Sequence, residues 1–198
     1  MFDCLIAGVG GQGTVLASKL IAVAAMNQGF NVRTTETIGM AQRGGSVVSH
    51  TRVSSSEIYS PLIPLGCANT LIAFEPAEAA RLLPYLSSNG KLVVCATAIK
   101  PFTGAFTGQA YEVEPVIGYL KENCPGALIL RGQWAKGGNV KALNVEVLGA
   151  AAESGAFPFD AEVLKGVLSQ LLPQRYWDLN FKAYEAGREQ YHETIGQH

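Results

Sequence analysis

The segment F-D-C-L-I-A-G-V-G-G-Q-G, Phe2 to Gly13, constrains the fold more than any other part of the chain. A short apolar run ending in glycines suits a buried parallel strand. A helical pattern follows at once. Val15, Leu16, Leu20, Val23 and Ala24 share one face of a helix expected over 12–28, and Gly29 stands where helices commonly stop. Asn31 to Thr35 supplies a second strand. Strand, glycine turn, helix and strand form a β-α-β unit, whose crossover is expected to be right-handed. The turn from Gly8 to Gly13 also fits the G-x-G-x-x-G template of dinucleotide-binding turns.

The rhythm breaks at Thr37–Gly45, T-I-G-M-A-Q-R-G-G, a loop-like stretch. Ser46–Val53 is rich in β-branched residues and reads as a strand. The turn S-S-S-E and a short piece at Ile58–Tyr59 follow it, so a β-hairpin is expected to be inserted after the first unit. The doubly wound rhythm then resumes, with strands over 70–74, 91–95 and 127–131 and helices over 76–86 and 115–123. Pro76 takes a first helical position, where no N–H is needed. Pro101–Gln109 reads as a loop or a short extra strand. Three helices close the chain, over 139–152 with Asn139 as cap, over 160–172 ended by Pro173, and from 177 to about 190. The expected fold is one α/β domain over residues 1–198. It is a Rossmann-like open, mostly parallel sheet with an inserted β-hairpin and a helical C-terminal end.

Composition narrows the function. A chain of 198 residues can bury roughly 70% of its unfolded surface in one core. Charged residues make up 16%, against about 25% in a typical soluble domain, as a large shared interface or a big α/β core would require. The net charge is −1 and no basic run stands out, which makes nucleic acid and anionic membrane poor partners. Nothing resembles a signal peptide, and no apolar run reaches the roughly 18 residues that span a bilayer, so the expected location is the cytoplasm. Cys4, Cys67, Cys95 and Cys124 are scattered without a C-x-x-C, and His50, His192 and His198 are dispersed. No metal site is expected on this chain. G-x-S-x-G, H-E-x-x-H and the phosphate-binding P-loop are absent and no nucleophile–base pair is evident. No catalytic residue is therefore expected, which points to a subunit that completes a site held mostly elsewhere.

Three stretches remain as candidate binding sites. In the first turn, Gly8 is expected to make the tight turn, Gly10 to let backbone approach a ligand and Gly13 to allow close helix–strand packing, while the helix N-terminus behind them favours an anion. A full dinucleotide fingerprint also needs an acidic residue at the end of the second strand. That strand ends Arg33-Thr34-Thr35, with Glu36 a few residues late. Dinucleotide binding and simple close packing both remain open. In M-A-Q-R-G-G, Met40 to Gly45, the planar bidentate guanidinium of Arg43 suits a phosphate or carboxylate, or else pairs with Glu36 to organise its own loop. In W-A-K-G-G-N, Trp134 to Asn139, Lys136 and the N–H groups of Gly137 and Gly138 suit a phosphate, or else form a turn with a solvated lysine. Asn144, on the apolar side of the next helix, either ties down a loop or touches a ligand.

Taken together, these motifs resemble the gamma-type domain of 2-oxoacid:ferredoxin oxidoreductases. The similarity is greatest to the small (beta) subunits of the indolepyruvate ferredoxin oxidoreductases. Its carriers are G-V-G-G-Q-G-T (Gly8–Thr14), G-M-A-Q-R-G-G-S-V-V-S-H (Gly39–His50), A-K-G-G-N-V-K-A-L-N-V-E-V-L-G-A (Ala135–Ala150) and N-F-K-A-Y-E-A-G (Asn180–Gly187), in family order over nearly the whole chain. The resemblance implies an enzyme that decarboxylates a 2-oxoacid on thiamine diphosphate, passes electrons through 4Fe-4S clusters to ferredoxin and releases an acyl-CoA. It implies no cofactor on this chain. Thiamine diphosphate and the clusters belong to a large partner subunit, ferredoxin is reached through that subunit, and coenzyme A is a co-substrate. Gly8, Gly10, Gly11, Gln12, Gly13, Arg43, Gly44, Gly45, Asn139 and Asn144 then become interface or CoA-side candidates, with Lys136 beside them. The approach W-A-K-G departs from the family by being richer in glycine. Two other readings stay in view. One is a stand-alone NAD- or FAD-binding oxidoreductase using the glycine turn, and the other is a stand-alone homodimer that binds CoA or a similar anion.

Overall fold

The opening apolar run forms strand β1, Phe2–Val9, in the middle of a six-stranded sheet. The computed structural model describes residues 1–39, 45–97, 112–132, 134 and 142–196. Their other strands are β2 (Asn31–Ile38), β3 (Ser46–Ser54), β4 (Ala68–Ala73), β5 (Leu86–Cys95) and β6 (Leu128–Leu130). The helices are α1 (Thr14–Asn27), α2 (Pro76–Leu82), α3 (Val113–Asn123), α4 (Leu143–Glu153), α5 (Ala161–Leu171) and α6 (Trp177–Ile195). Among the described residues none of them is long and apolar enough to cross a membrane.

The strand order is β2-β3-β1-β4-β5-β6. Strands β1, β4, β5 and β6 run parallel, while β3 runs antiparallel to both β1 and β2. Strand residues alternate between the two faces, as the period of two requires. Cys4, Ile6, Ile72, Val93 and Cys95 face a core built with α1, α4, α5 and α6. Leu5, Ala7, Leu71, Leu92 and Val94 face the second core, under α2 and α3. The parallel strands are therefore buried on both sides over Cys4–Ala7, Leu71–Ala73 and Leu92–Cys95, which explains the apolar character of those runs.

The inserted hairpin is present, but its arms differ from those expected. It consists of β2 and β3 themselves, and β3 is threaded between β1 and β2. Ile58–Tyr59 is not a strand. The segment around it carries Pro61 and Pro64, and side chains satisfy its backbone. The Arg52 Nη1 donates to the carbonyls of Ser60 and Leu62, each at 3.1 Å. The Ile63 N–H donates to His50 Nδ1 at 3.2 Å. Arg52 is fixed in turn by the buried Asp3, with Nε to Oδ1 at 2.8 Å.

His50 accepts at Nδ1 and so carries its proton at Nε2. Burial, and then the nearby Arg52 charge, hold its pKa below the usual histidine value. A base with a depressed folded pKa stays neutral in the fold while the unfolded chain takes up the proton first. Stability is accordingly expected to be flat above about pH 6.5 and to fall as the pH drops below it. Asn at this position keeps an acceptor for Ile63 but cannot be protonated. Denaturant titrations of His50→Asn and the native chain at pH 7.5 and 5.5 should therefore show a smaller acid loss in the variant.

The C-terminal layer is closed by an unusually near crossing of α4 and α6 at Gly149 and Gly187. A Cβ on Gly187 would lie 2.8 Å from the Glu146 carbonyl carbon and 2.9 Å from the Ala150 nitrogen, so only glycine permits this backbone contact. The crossing joins two of the sequence motifs, A-K-G-G-N…V-L-G-A and N-F-K-A-Y-E-A-G. The remaining boundaries shift by a few residues. Helix α1 starts at Thr14 because Gly11 and Gly13 hold positive φ ahead of it. Helix α4 starts at Leu143, and its expected cap, Asn139, lies outside the described residues, as does Pro101–Gln109.

Candidate functional site at the glycine turn

Crossovers from β1 lead to β2 on one side, while the chain resumes with β4 on the other. The switch in winding therefore falls between β1 and β4, the place where open α/β sheets bind ligands at the carboxyl ends of their strands. Here that crevice holds Gln12. Its side chain is 4% exposed. Its Oε1 accepts the Val9 N–H at 2.7 Å and its Nε2 donates to the Phe74 carbonyl at 3.0 Å. The Gln12 N–H closes the turn on the Val9 carbonyl at 3.1 Å. One amide side chain thus satisfies the last groups of β1 and the residue leaving β4, and it occupies the crevice with protein.

The rest of the turn is tied on both sides. Gly10 donates its N–H to the Gly45 carbonyl at 2.9 Å, which docks the end of the R-G-G loop onto the turn. Gly13, at φ 82°, accepts the Ala17 N–H at 2.9 Å and the Asn144 Nδ2 at 3.3 Å. A Cβ on Gly13 would press into the Asn144 amide, whose Cγ would be 3.1 Å away. The Asn144 Oδ1 accepts the N–H of Val145 at 3.0 Å. Asn144 therefore ties down the turn. Gly8 does not make the turn. It lies within β1, opposite Val47, and the left-handed φ values belong to Gly11 and Gly13.

Residues from three sequence motifs thus meet at one edge: Gly8, Gly10, Gly11, Gln12 and Gly13 from the first, Gly45 from the second and Asn144 from the third. Arg43, Gly44, Lys136 and Asn139 lie outside the described residues. Glu36, the late acidic residue, pairs with Ser49 on β3. With β3 intervening, it stands two strand spacings from β1, about 10 Å in the sheet plane. A ribose-binding carboxylate belongs on the strand next to β1. The NAD or FAD reading accordingly loses both its crevice and its acidic residue.

Besides Asp3, two buried carboxylates have no part in the sequence reading. Glu75 caps α2, its Oε2 accepting the Glu78 N–H at 3.0 Å. Glu146 lies fully buried in α4. Its Oε2 accepts the Trp134 N–H at 3.2 Å, and its Oε1 accepts from Gln190. The available signal was a lone charge inside the apolar stretch L-N-V-E-V-L-G-A. The Cys95 thiol is pushed up by burial, against the opposing pull of its hydrogen bonds with Thr97, with a weaker upward push from these two carboxylates, and Cys4 is pushed up by burial and by Asp3. Cys67 is exposed and Cys124 half-buried. Four thiols in separate places do not fit an iron–sulfur cluster or a zinc site.

Residues 3–190 match the family described as pyruvate ferredoxin/flavodoxin oxidoreductase. The chain belongs to that family. Within it, the chain is 40% identical over 192 residues to the indolepyruvate oxidoreductase subunit IorB of Archaeoglobus fulgidus, covering 95% of this chain and 94% of the relative. It is 34% identical over 189 residues to the protein of the same name from Methanothermobacter thermautotrophicus, covering 94% and 95%. The fold matches the gamma subunit of a keto/oxoacid ferredoxin oxidoreductase from Geobacter sulfurreducens. That match has a TM-score of 0.68 and 21% identity, over 98% of this chain and 99% of the other. It also matches part of a 2-oxoglutarate:ferredoxin oxidoreductase from Magnetococcus marinus, with a TM-score of 0.72 and 20% identity over 97% of this chain and 31% of the longer one. The oxidoreductase fold therefore occurs both as a separate subunit and inside a larger chain.

Proposed function

We propose that this chain is the small subunit of an indolepyruvate-type 2-oxoacid:ferredoxin oxidoreductase and has no turnover alone. The observation that carries this reading is the match over 94–98% of the chain, at 31–40% identity, to four proteins named indolepyruvate oxidoreductase subunit IorB. The site agrees with it. A glycine turn stoppered by its own glutamine suits a packed joint in an assembly better than a nucleotide pocket. Thiamine diphosphate supplies the decarboxylation chemistry and 4Fe-4S clusters the electron path to ferredoxin, both on the partner subunit in the cytoplasm.

This chain contributes a surface. Gly10 and Gly11 are exposed beside Gly45, a bare stretch of backbone that another chain, or the coenzyme A co-substrate, can approach closely. Arg43 and Lys136 supply cations for a phosphate of that co-substrate, with Gly44 and Asn139 as further candidates from the same two motifs. In isolation the same surface is open to a second copy.

The test is reconstitution from separately purified chains. Indolepyruvate- and CoA-dependent reduction of ferredoxin should require both, and turnover by either chain alone would refute the division of labour. In the reconstituted enzyme Arg43→Ala should lower kcat/KM for CoA by about tenfold or more, the loss expected for a charged hydrogen bond, with unchanged circular dichroism. Unchanged CoA dependence would remove Arg43 from that role.

A further inference from the structure

We propose that Glu146 and Gln190 form an acid–amide clamp that positions the chain where it leaves β6, and that turnover of the assembled enzyme depends on this positioning. The second half rests on the subunit reading above. Gln190, on α6, is 4% exposed. It donates from Nε2 to Glu146 Oε1, while its Oε1 accepts the Arg131 N–H at 3.1 Å. Glu146 accepts the Trp134 N–H with its other oxygen. Only one orientation of the Gln190 amide satisfies both neighbours, because a carboxylate accepts and a backbone N–H donates.

The clamp is built into the helix crossing. Glu146 stands three residues before Gly149, and Gln190 three residues after Gly187, so the near approach at the glycines brings the two polar side chains together. Packing alone calls for an apolar residue at position 146, since a buried carboxylate is costly unless fully bonded. What the pair holds is the exit from β6 at Arg131 and Trp134, immediately ahead of the A-K-G-G-N motif. Trp134 itself packs half-buried against the larger core. Among the described residues Glu146 and Gln190 touch no candidate ligand residue, and they act as positioning residues.

The decisive experiment exchanges the two groups. E146Q sets two amide NH2 groups face to face, or strips the Arg131 or the Trp134 N–H of its acceptor. Q190E sets two carboxylates face to face. The double variant E146Q/Q190E restores every one of these bonds, with Gln at 146 donating to Glu at 190, which still accepts from Arg131. In the isolated chain, amide exchange at Arg131 and Trp134 should accelerate about tenfold or more in each single variant and return toward the native rate in the double. In the assembled enzyme each single variant should raise KM for CoA with the 2-oxoacid KM unchanged, and the double should recover most of the loss. Activity of Q190E should also rise as the pH is lowered, because a shared proton supplies the missing donor.

A double variant exchanging no more slowly than the single ones would overturn the clamp. A single variant with accelerated exchange but native CoA kinetics would overturn its role in turnover. If the native assembly has no activity, the subunit reading fails and, with it, the dependence of turnover, while amide exchange still decides the clamp.

Discussion

Gly187→Ala is expected to lower stability by about 3–5 kcal/mol, the range of the severe core substitutions, and the melting temperature by roughly 10 °C at this chain length. The new methyl meets backbone: the Glu146 carbonyl group and the Ala150 nitrogen within 2.9 Å. A flexible side chain would move aside, but the α4 backbone is held by its own helix bonds and by the sheet beneath. Relief requires α6 to back away, which opens the packing of Ala183 and Tyr184 against α4. The opposing term, the better helix propensity of alanine, is worth about 1 kcal/mol and loses. Gly166 in α5 is the control, since a Cβ there meets nothing within 4 Å. Gly166→Ala should be neutral or slightly stabilising. Equal melting temperatures for the two variants would mean that the helices do not touch.

Gln12→Leu is expected to cost about 2–5 kcal/mol, because it keeps the volume but leaves the Val9 N–H and the Phe74 carbonyl without a partner, at about 1–3 kcal/mol each. Gln12→Glu separates the two bonds. Its carboxylate still accepts from Val9 but faces the Phe74 carbonyl, so the protonated form is favoured in the fold. The folded pKa then rises above the usual glutamate value. The penalty is small at low pH, where the group is protonated in both states, and grows as pH rises past about 4.3. Denaturant midpoints for both variants across pH 4–8 check this. A Gln12→Glu protein with native stability at pH 8 would remove Gln12 from the crevice between β1 and β4.

Much of the sheet was legible because its signals are local. The apolar runs of β1, β4 and β5 and the glycines after β1 announce buried parallel strands whatever their neighbours. The position of β3 was not legible, because its β-branched pattern is the same whether it flanks β2 or separates β2 from β1. That one non-local fact moves Glu36 a strand away and changes the meaning of the first turn. Gln12 shows the same limit. Its place in the turn is sequential, but its role depends on Phe74, which follows β4. Ile58–Tyr59 looked like a strand because the side chains that satisfy its neighbourhood, His50 and Arg52, are named only by the fold. Glu146 did carry a local signal, a charge inside an apolar helix, but its partner Gln190 lies 44 residues away.

In the proposed assembly the glycine turn is a joint in a subunit, and the most direct measurement of that claim is purification of the chain from its native source under non-denaturing conditions. A second, larger chain bearing thiamine diphosphate and iron should co-elute in a fixed stoichiometry, and the complex should reduce ferredoxin with an aryl pyruvate and CoA. A chain that elutes without such a partner and binds NAD or FAD at micromolar concentration would contradict it.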